Sequence, residues 1–238
     1  MNAIETKNLT KCFGTVEAVD ALDLTVREGE LFALLGVNGA GKTTTIKMLS
    51  GLLKPTCGTA TVLGCDLGSE LPAIKRQIAV SPQETAVAPN LTVRENLELI
   101  AGIYGSDRAR VQKMIGELGL QKAVKFKAKS LSGGWQRRLS IAMALVSDPK
   151  LLFLDEPTLG LDVLARRELW KVIEELKGKV TVILTTHYME EAEQLADRVG
   201  IMNSGRLKMT GTPQELLDAA GTDNFEEAFI RLAGGETA

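Results

Sequence analysis

Gly36-Val37-Asn38-Gly39-Ala40-Gly41-Lys42-Thr43-Thr44 places a glycine, four residues, a second glycine, a lysine and a threonine in the order that a phosphate cradle requires. Gly36, Gly39 and Gly41 allow positive φ and turn several N–H groups toward one point, and a helix starting there adds its positive end. Asn38, Ala40 and Thr44 complete the nest. Lys42 then lies along the β- and γ-phosphates of a bound nucleotide, and the Thr43 hydroxyl completes the shell of a bridging Mg²⁺. Chance alone puts these four identities into about one chain in a hundred of this length, so context decides. Glu30-Leu31-Phe32-Ala33-Leu34-Leu35 before the loop reads as a buried strand, and Thr44-Thr45-Ile46-Lys47-Met48-Leu49 after it as an amphipathic helix ending at Gly51.

Outward from this loop, residues 1–30 alternate apolar and polar positions between charged turns such as Arg27-Glu28-Gly29-Glu30, which predicts short antiparallel strands. Thr59 to Gly64 adds a strand to that sheet. From about residue 84 to 148 the pattern turns helical, with Val93–Ile100 and Ala109–Leu118 keeping apolar residues three and four apart. Two β-like runs follow, Leu151–Leu154 and Val180–Leu184, each leading into a helix, which predicts a parallel sheet. Ile201-Met202 suggests a late strand, Ala165–Lys177 a helix remote from every motif, and 234–238 a frayed end. There is no internal repeat or low-complexity segment.

Composition narrows the class. The 238 residues can bury one sizeable core, and 28 basic against 30 acidic residues argue against a general nucleic-acid binder. The apolar runs are far shorter than the roughly 18 residues of a membrane span, and Met1-Asn2-Ala3-Ile4-Glu5 does not begin a signal peptide. A cytosolic chain is expected. Cys12, Cys57 and Cys65 lack metal-ligand spacing and read as inert, partly buried thiols.

Leu151-Leu152-Phe153-Leu154-Asp155-Glu156 is an apolar strand ending in two carboxylates. In an open α/β sheet that edge is where nucleotides bind. Asp155 is then a Mg²⁺ partner and Glu156 the group that polarises the attacking water. The only histidine, His187, follows the strand ending at Leu184 and falls at the same edge.

Between these motifs, Leu131-Ser132-Gly133-Gly134-Trp135-Gln136-Arg137-Arg138 resembles the LSGGQ signature of ATP-binding cassette (ABC) ATPases. Glu156-Pro157-Thr158-Leu159-Gly160-Leu161-Asp162 is similar to that family's D-loop, with Asp162 as its acid. Gln83 resembles its Q-loop glutamine, placed to reach Mg²⁺ and the attacking water, and His187 its switch histidine. Phe13 falls where the family usually keeps an adenine-stacking tyrosine. The resemblance spans essentially the whole chain. It implies a single ABC ATPase domain over 1–238, of α/β class: a P-loop NTPase core with a parallel sheet, an N-terminal antiparallel β subdomain and an inserted α-helical subdomain at about 84–148.

It also implies ATP and Mg²⁺ as cofactors, with catalysis by Glu156, His187 and Gln83. Two cassettes pack head to tail, so that Leu131, Ser132, Gly133 and Gly134 of one cap the nucleotide held by Lys42 of the other. The second cassette is another copy or a paralogous ATPase subunit. The implied partners are separate membrane-spanning permease subunits, docked by residues 83–104 at the cytoplasmic face of the membrane. Thr186-His187-Tyr188-Met189-Glu190-Glu191 resembles the exporter-type branch. The alternative is a soluble ATP-driven clamp, whose usual second cassette, coiled coil or basic arm has no counterpart here. Trp135 departs from the signature glutamine and Phe13 from the tyrosine. Neither change removes an anion contact, and Phe13 keeps a stacking face.

Overall fold

The computed structural model describes residues 1–234. Of the end expected to fray, 235–238 lie outside the described residues. The N-terminal part is an antiparallel sheet: β1 (Asn2–Phe13), β2 (Val16–Leu22), β3 (Thr25–Arg27), β5 (Cys57–Val62) and β6 (Cys65–Asp66), in the order β2-β1-β5-β6 with β3 also on β1. β1 is not short. It runs 12 residues, and breaks in its ladder at Lys7/Thr10 and Leu9/Lys11 let it serve three partner strands. Cys57 is exposed at the first position of β5, not partly buried, whereas Cys12 and Cys65 are partly covered.

The second sheet has the order β11-β10-β4-β9-β8-β7, from β4 (Leu31–Leu35), β7 (Ile78–Ser81), β8 (Leu151–Asp155), β9 (Thr181–Thr186), β10 (Arg198–Asn203) and β11 (Arg206–Gly211). All its pairings are parallel except β10 with β11. Both faces are covered, which is why its strands read as continuous apolar runs. Alternate side chains of β4 serve different cores. Phe32 and Leu34 pack toward the antiparallel sheet with α1 (Lys42–Leu49) and α2 (Leu71–Lys75) between. Leu31, Ala33 and Leu35 pack on the helices of the opposite layer.

That layer holds α3 (Val93–Tyr104), α4 (Arg108–Glu117) and α5 (Gly133–Val146), then α6 (Val163–Glu174), α7 (Met189–Leu195), α8 (Pro213–Ala220) and α9 (Phe225–Leu232). α3 starts on a reciprocal Thr92–Glu95 capping box and stops at Gly105, with φ 71°. Among the described residues no helix is long and apolar enough to cross a membrane.

Candidate nucleotide site

β4 delivers the chain to Gly36, and Gly41 opens α1 from a left-handed conformation with φ 102°. A side chain at Gly41 would run into the Ala18 carbonyl and one at Gly36 into the Met202 carbonyl, so the loop is pressed onto its neighbours and glycine is required. The first turn of α1 carries no acidic residue, which leaves its positive end uncompensated. Lys42 is 4% exposed. Its Nζ donates to the carbonyls of Gly36 (2.7 Å) and Val37 (3.1 Å) and pairs with Glu156 Oε1 at 3.3 Å.

Asp155 ends β8 and Glu156 leaves it with φ 47°, a left-handed turn that aims the two carboxylates differently. Asp155 Oδ1 accepts from Thr43 Oγ1 (3.0 Å) and Thr185 Oγ1 (2.6 Å). Glu156 Oε2 lies 2.9 Å from His187 Nδ1; an ionised carboxylate only accepts, so Nδ1 carries the proton. Asn38–Thr44, Gln83, Glu156, Leu159 and His187 line one cavity of about 500 Å³. The Thr43 hydroxyl and Asp155 carboxylate are paired hard-oxygen donors beside the phosphate loop, which fits Mg²⁺. A cavity of similar size, about 520 Å³, opens among Leu9, Met48, Leu53 and Leu71, without such a cluster of charge.

Phe13 does not line the phosphate cavity. It stands 50% exposed at the end of β1, with Lys11 Nζ 5.1 Å above its ring, and the following strand brings Ala18 to the cavity wall.

The signature residues lie elsewhere. Ser132 is the N-cap of α5, yet its hydroxyl caps no N–H of the helix, and the first turn again lacks an acid. Ser132 and Gly134 border a groove with Trp135, Arg138, Asp162 and Leu164, away from Lys42. The phosphate loop and the signature segment thus stand at separate places on the chain. Leu131 packs partly buried against the core beside them, and Gly134 stands so close to α6 that a Cβ would lie 3.1 Å from Ala165 Cβ. Asp162 caps α6 by accepting from Ala165 N at 2.9 Å. Arg138 stacks 5.2 Å from the Trp135 ring.

Several residues carry no sequence signal but complete the site. Thr185 holds both Asp155 and the Glu156 N–H (3.0 Å). Arg137, buried in α5, donates to the Pro82 and Gln83 carbonyls; burial pulls its guanidinium below its ordinary value, and the Asp155 charge opposes this. Trp170 is not remote from the motifs. Its indole N–H donates to Glu191 Oε1 at 2.9 Å. Glu191 is fully buried, and burial raises its carboxyl above the ordinary range. The Thr186 and Thr158 hydroxyls, the indole and Arg166 pull it back down, although neither hydroxyl closes a hydrogen bond of ordinary geometry on Oε2.

Fold and site together define a P-loop nucleotide hydrolase. The ABC transporter family profile matches residues 19–159, more than half of the chain, and the protein belongs to that family as one of its ATPase domains. It is 44% identical over 226 residues to the daunorubicin/doxorubicin resistance ATP-binding protein DrrA of Streptomyces peucetius, covering 93% of this chain and 68% of DrrA. To the Probable multidrug ABC transporter ATP-binding protein YbhF of Escherichia coli K12 it is 41% identical, covering 96% of this chain but only 41% of that longer protein. Among solved structures, the ATP-binding subunit of an ABC transporter superposes with a TM-score of 0.85 at 31% identity, covering 97% and 99% of the two chains. A dimeric post-hydrolysis cassette, MJ0796 with ADP and Pi, gives a TM-score of 0.78 at 27% identity over 88% of this chain and 98% of that one.

Proposed function

We propose that this chain is the ATP-hydrolysing subunit of an exporter-type transporter. Two cassettes pack head to tail around ATP at the cytoplasmic face of a membrane and drive separate membrane-spanning subunits. The observation that carries this reading is the division of the chain into two unlike anion-facing ends. The Lys42 cavity holds the charged chemistry, and the Ser132 end of α5 has a free hydroxyl and an uncompensated helix terminus pointing elsewhere. A ligand with several phosphates satisfies both only when a second cassette supplies one of them. The relative named for daunorubicin/doxorubicin resistance supports the export direction.

Glu156 pairs with the same Lys42 Nζ that a phosphate oxygen would take. Bound ATP takes over Lys42 and the N–H groups of the loop, which frees Glu156 Oε1 for the attacking water. His187 holds the other carboxylate oxygen in place, and Thr185 fixes the backbone at the same point. Thr43 and Asp155 would hold Mg²⁺, which when bound neutralises charge on the phosphates. Gln83 reaches the cavity from the loop that leads into the 84–148 helical subdomain. On that subdomain Leu99, Ile103 and Tyr104 are exposed beside a groove bounded by Pro82, Ile100 and Met143. This apolar face docks a cytoplasmic helix of the membrane subunit. Phe13 stacks on the adenine.

Light scattering on the Glu156→Gln variant with Mg-free ATP tests the arrangement. The expected mass is twice that of the chain, and Ser132→Arg in the same background should return it to monomer. A variant that stays monomeric while calorimetry shows it saturated with ATP overturns the head-to-tail reading.

A further inference from the structure

The helix that begins at the signature and the loop that carries Gln83 are joined by one buried side chain. Arg137 lies five residues beyond Ser132, about 7.5 Å along α5 at 1.5 Å per residue. Only 6% exposed, its guanidinium donates from Nη1 to the Pro82 carbonyl at 2.7 Å and from Nη2 to the Gln83 carbonyl. Nearly one turn further, the Ser140 hydroxyl meets the Ser81 hydroxyl at 3.0 Å. Residues 81–83 are thus fastened to one face of α5 at three points.

Packing alone does not call for this. Gln83 is exposed, so water could serve its carbonyl, and a buried guanidinium is costly to desolvate. What the clamp secures is orientation. A planar fork on two successive carbonyls fixes both the position and the rotation of the loop, which a single-point ammonium does less well. Gln83 is the residue through which this loop lines the phosphate cavity.

We propose that Arg137 is a positioning residue that sets Gln83 in the phosphate cavity according to what the Ser132 end of α5 contacts, so that occupancy of the signature tunes hydrolysis at the same chain's own phosphate loop. The inference rests on the head-to-tail reading for the identity of that contact, but not for the clamp itself. Because α5 is one continuous helix, a displacement at Ser132 moves the guanidinium, and the two carbonyls follow it.

The test is a kinetic double-mutant cycle on the full chain with Arg137→Met, Gln83→Ala and both together, with folding verified by circular dichroism. Each single variant should lose about tenfold in kcat with KM for ATP within about twofold, and the double variant should lose no more than either. Arg137→Lys should recover part of the loss, and it runs the same cycle against Gln83→Ala should Arg137→Met fail to fold. Losses that multiply in the double variant, or wild-type kcat in Arg137→Met, overturn the proposal. Mass measurements with Mg-free ATP, in Glu156→Gln with and without Arg137→Met, keep the two readings apart. Doubling in both leaves the head-to-tail reading standing whatever the cycle shows, and no doubling in Glu156→Gln alone overturns that reading whatever the cycle shows.

Discussion

Glu156→Gln preserves the size of the side chain and its two contact positions while removing its charge, and its consequences should differ without and with nucleotide. The Lys42–Glu156 pair is nearly buried, with side chains 4% and 9% exposed. Removing one member of such a pair outright costs about 3–5 kcal/mol. Here the amide oxygen and the carbonyls of Gly36 and Val37 still hold Nζ, and the amide nitrogen donates to His187 Nδ1 once the imidazole moves its proton to Nε2, so the loss should fall to about 1–2 kcal/mol. For a chain of this size that lowers Tm by about 2–8 °C. Once ATP is bound its phosphates take the carboxylate's place on Lys42, and the deficit disappears. The nucleotide-induced rise in Tm should therefore be larger in the variant than in the wild type. Turnover should fall by about 10²–10⁴ through loss of the general base, a barrier increase of about 2.7–5.4 kcal/mol. Differential scanning calorimetry with and without Mg-free ATP, beside phosphate release with magnesium, reads both quantities. Turnover within threefold of wild type, or a nucleotide-induced rise no larger than the wild type's, refutes the reasoning.

Lys42→Ala should weaken ATP binding by about two orders of magnitude, since the triphosphate loses its buried cation; an unchanged Kd by calorimetry counts against the assignment. Burial raises Glu191 above its ordinary 4.5, so the folded chain keeps a proton that the unfolded chain has lost, and the stability from this group is full below about pH 4.5 and declines as pH climbs through the raised value. Glu191→Gln should accordingly gain denaturant midpoint relative to wild type as pH rises from 4.5 through the raised value, and a difference that does not vary with pH contradicts this. Trp135 emission should shift blue when Glu156→Gln closes on ATP, whereas Trp170, already 9% exposed, should stay still; a shift that survives Trp135→Phe removes Trp135 from the interface.

The phosphate loop, the Asp155-Glu156 pair and His187 could be read from the chain because each depends on local spacing beside an apolar strand. Their partners could not. Thr43 and Asp155 are 112 positions apart and Lys42 and Glu156 lie slightly further apart, and only the sheet order β4-β9-β8 makes them neighbours. Thr185 looks like any strand threonine, and Arg137 sits on a helix whose polar positions normally face water. Trp170 and Glu191, 21 residues apart, join α6 to α7, with nothing in either segment to announce it. The C-terminal helices were legible in principle: Thr212-Pro213-Gln214-Glu215 is a capping box with proline in the first turn, and it opens α8. β7 is too short, at four residues, to display an alternation. The length of β1 is concealed by the breaks in its ladder, which reset the apolar alternation.

Because β4 gives alternate side chains to two cores, neither core can melt without uncovering the other's share of that strand. The antiparallel sheet and the nucleotide core should thus unfold in a single cooperative transition, and the amides of Leu31–Leu35 should exchange with solvent only at the rate of global opening. Residues 84–92, by contrast, cross from β7 at the sheet's outer edge to α3 with no strand of their own in either sheet, held by scattered bonds such as those of the Asn96 side chain to Ala88 and Leu91. Their amides should exchange through sub-global openings of lower free energy. The phosphate loop is therefore tied to the slowest-exchanging strand, and the lower-energy openings fall on residues 84–92, beyond the part of the segment that Arg137 holds to α5.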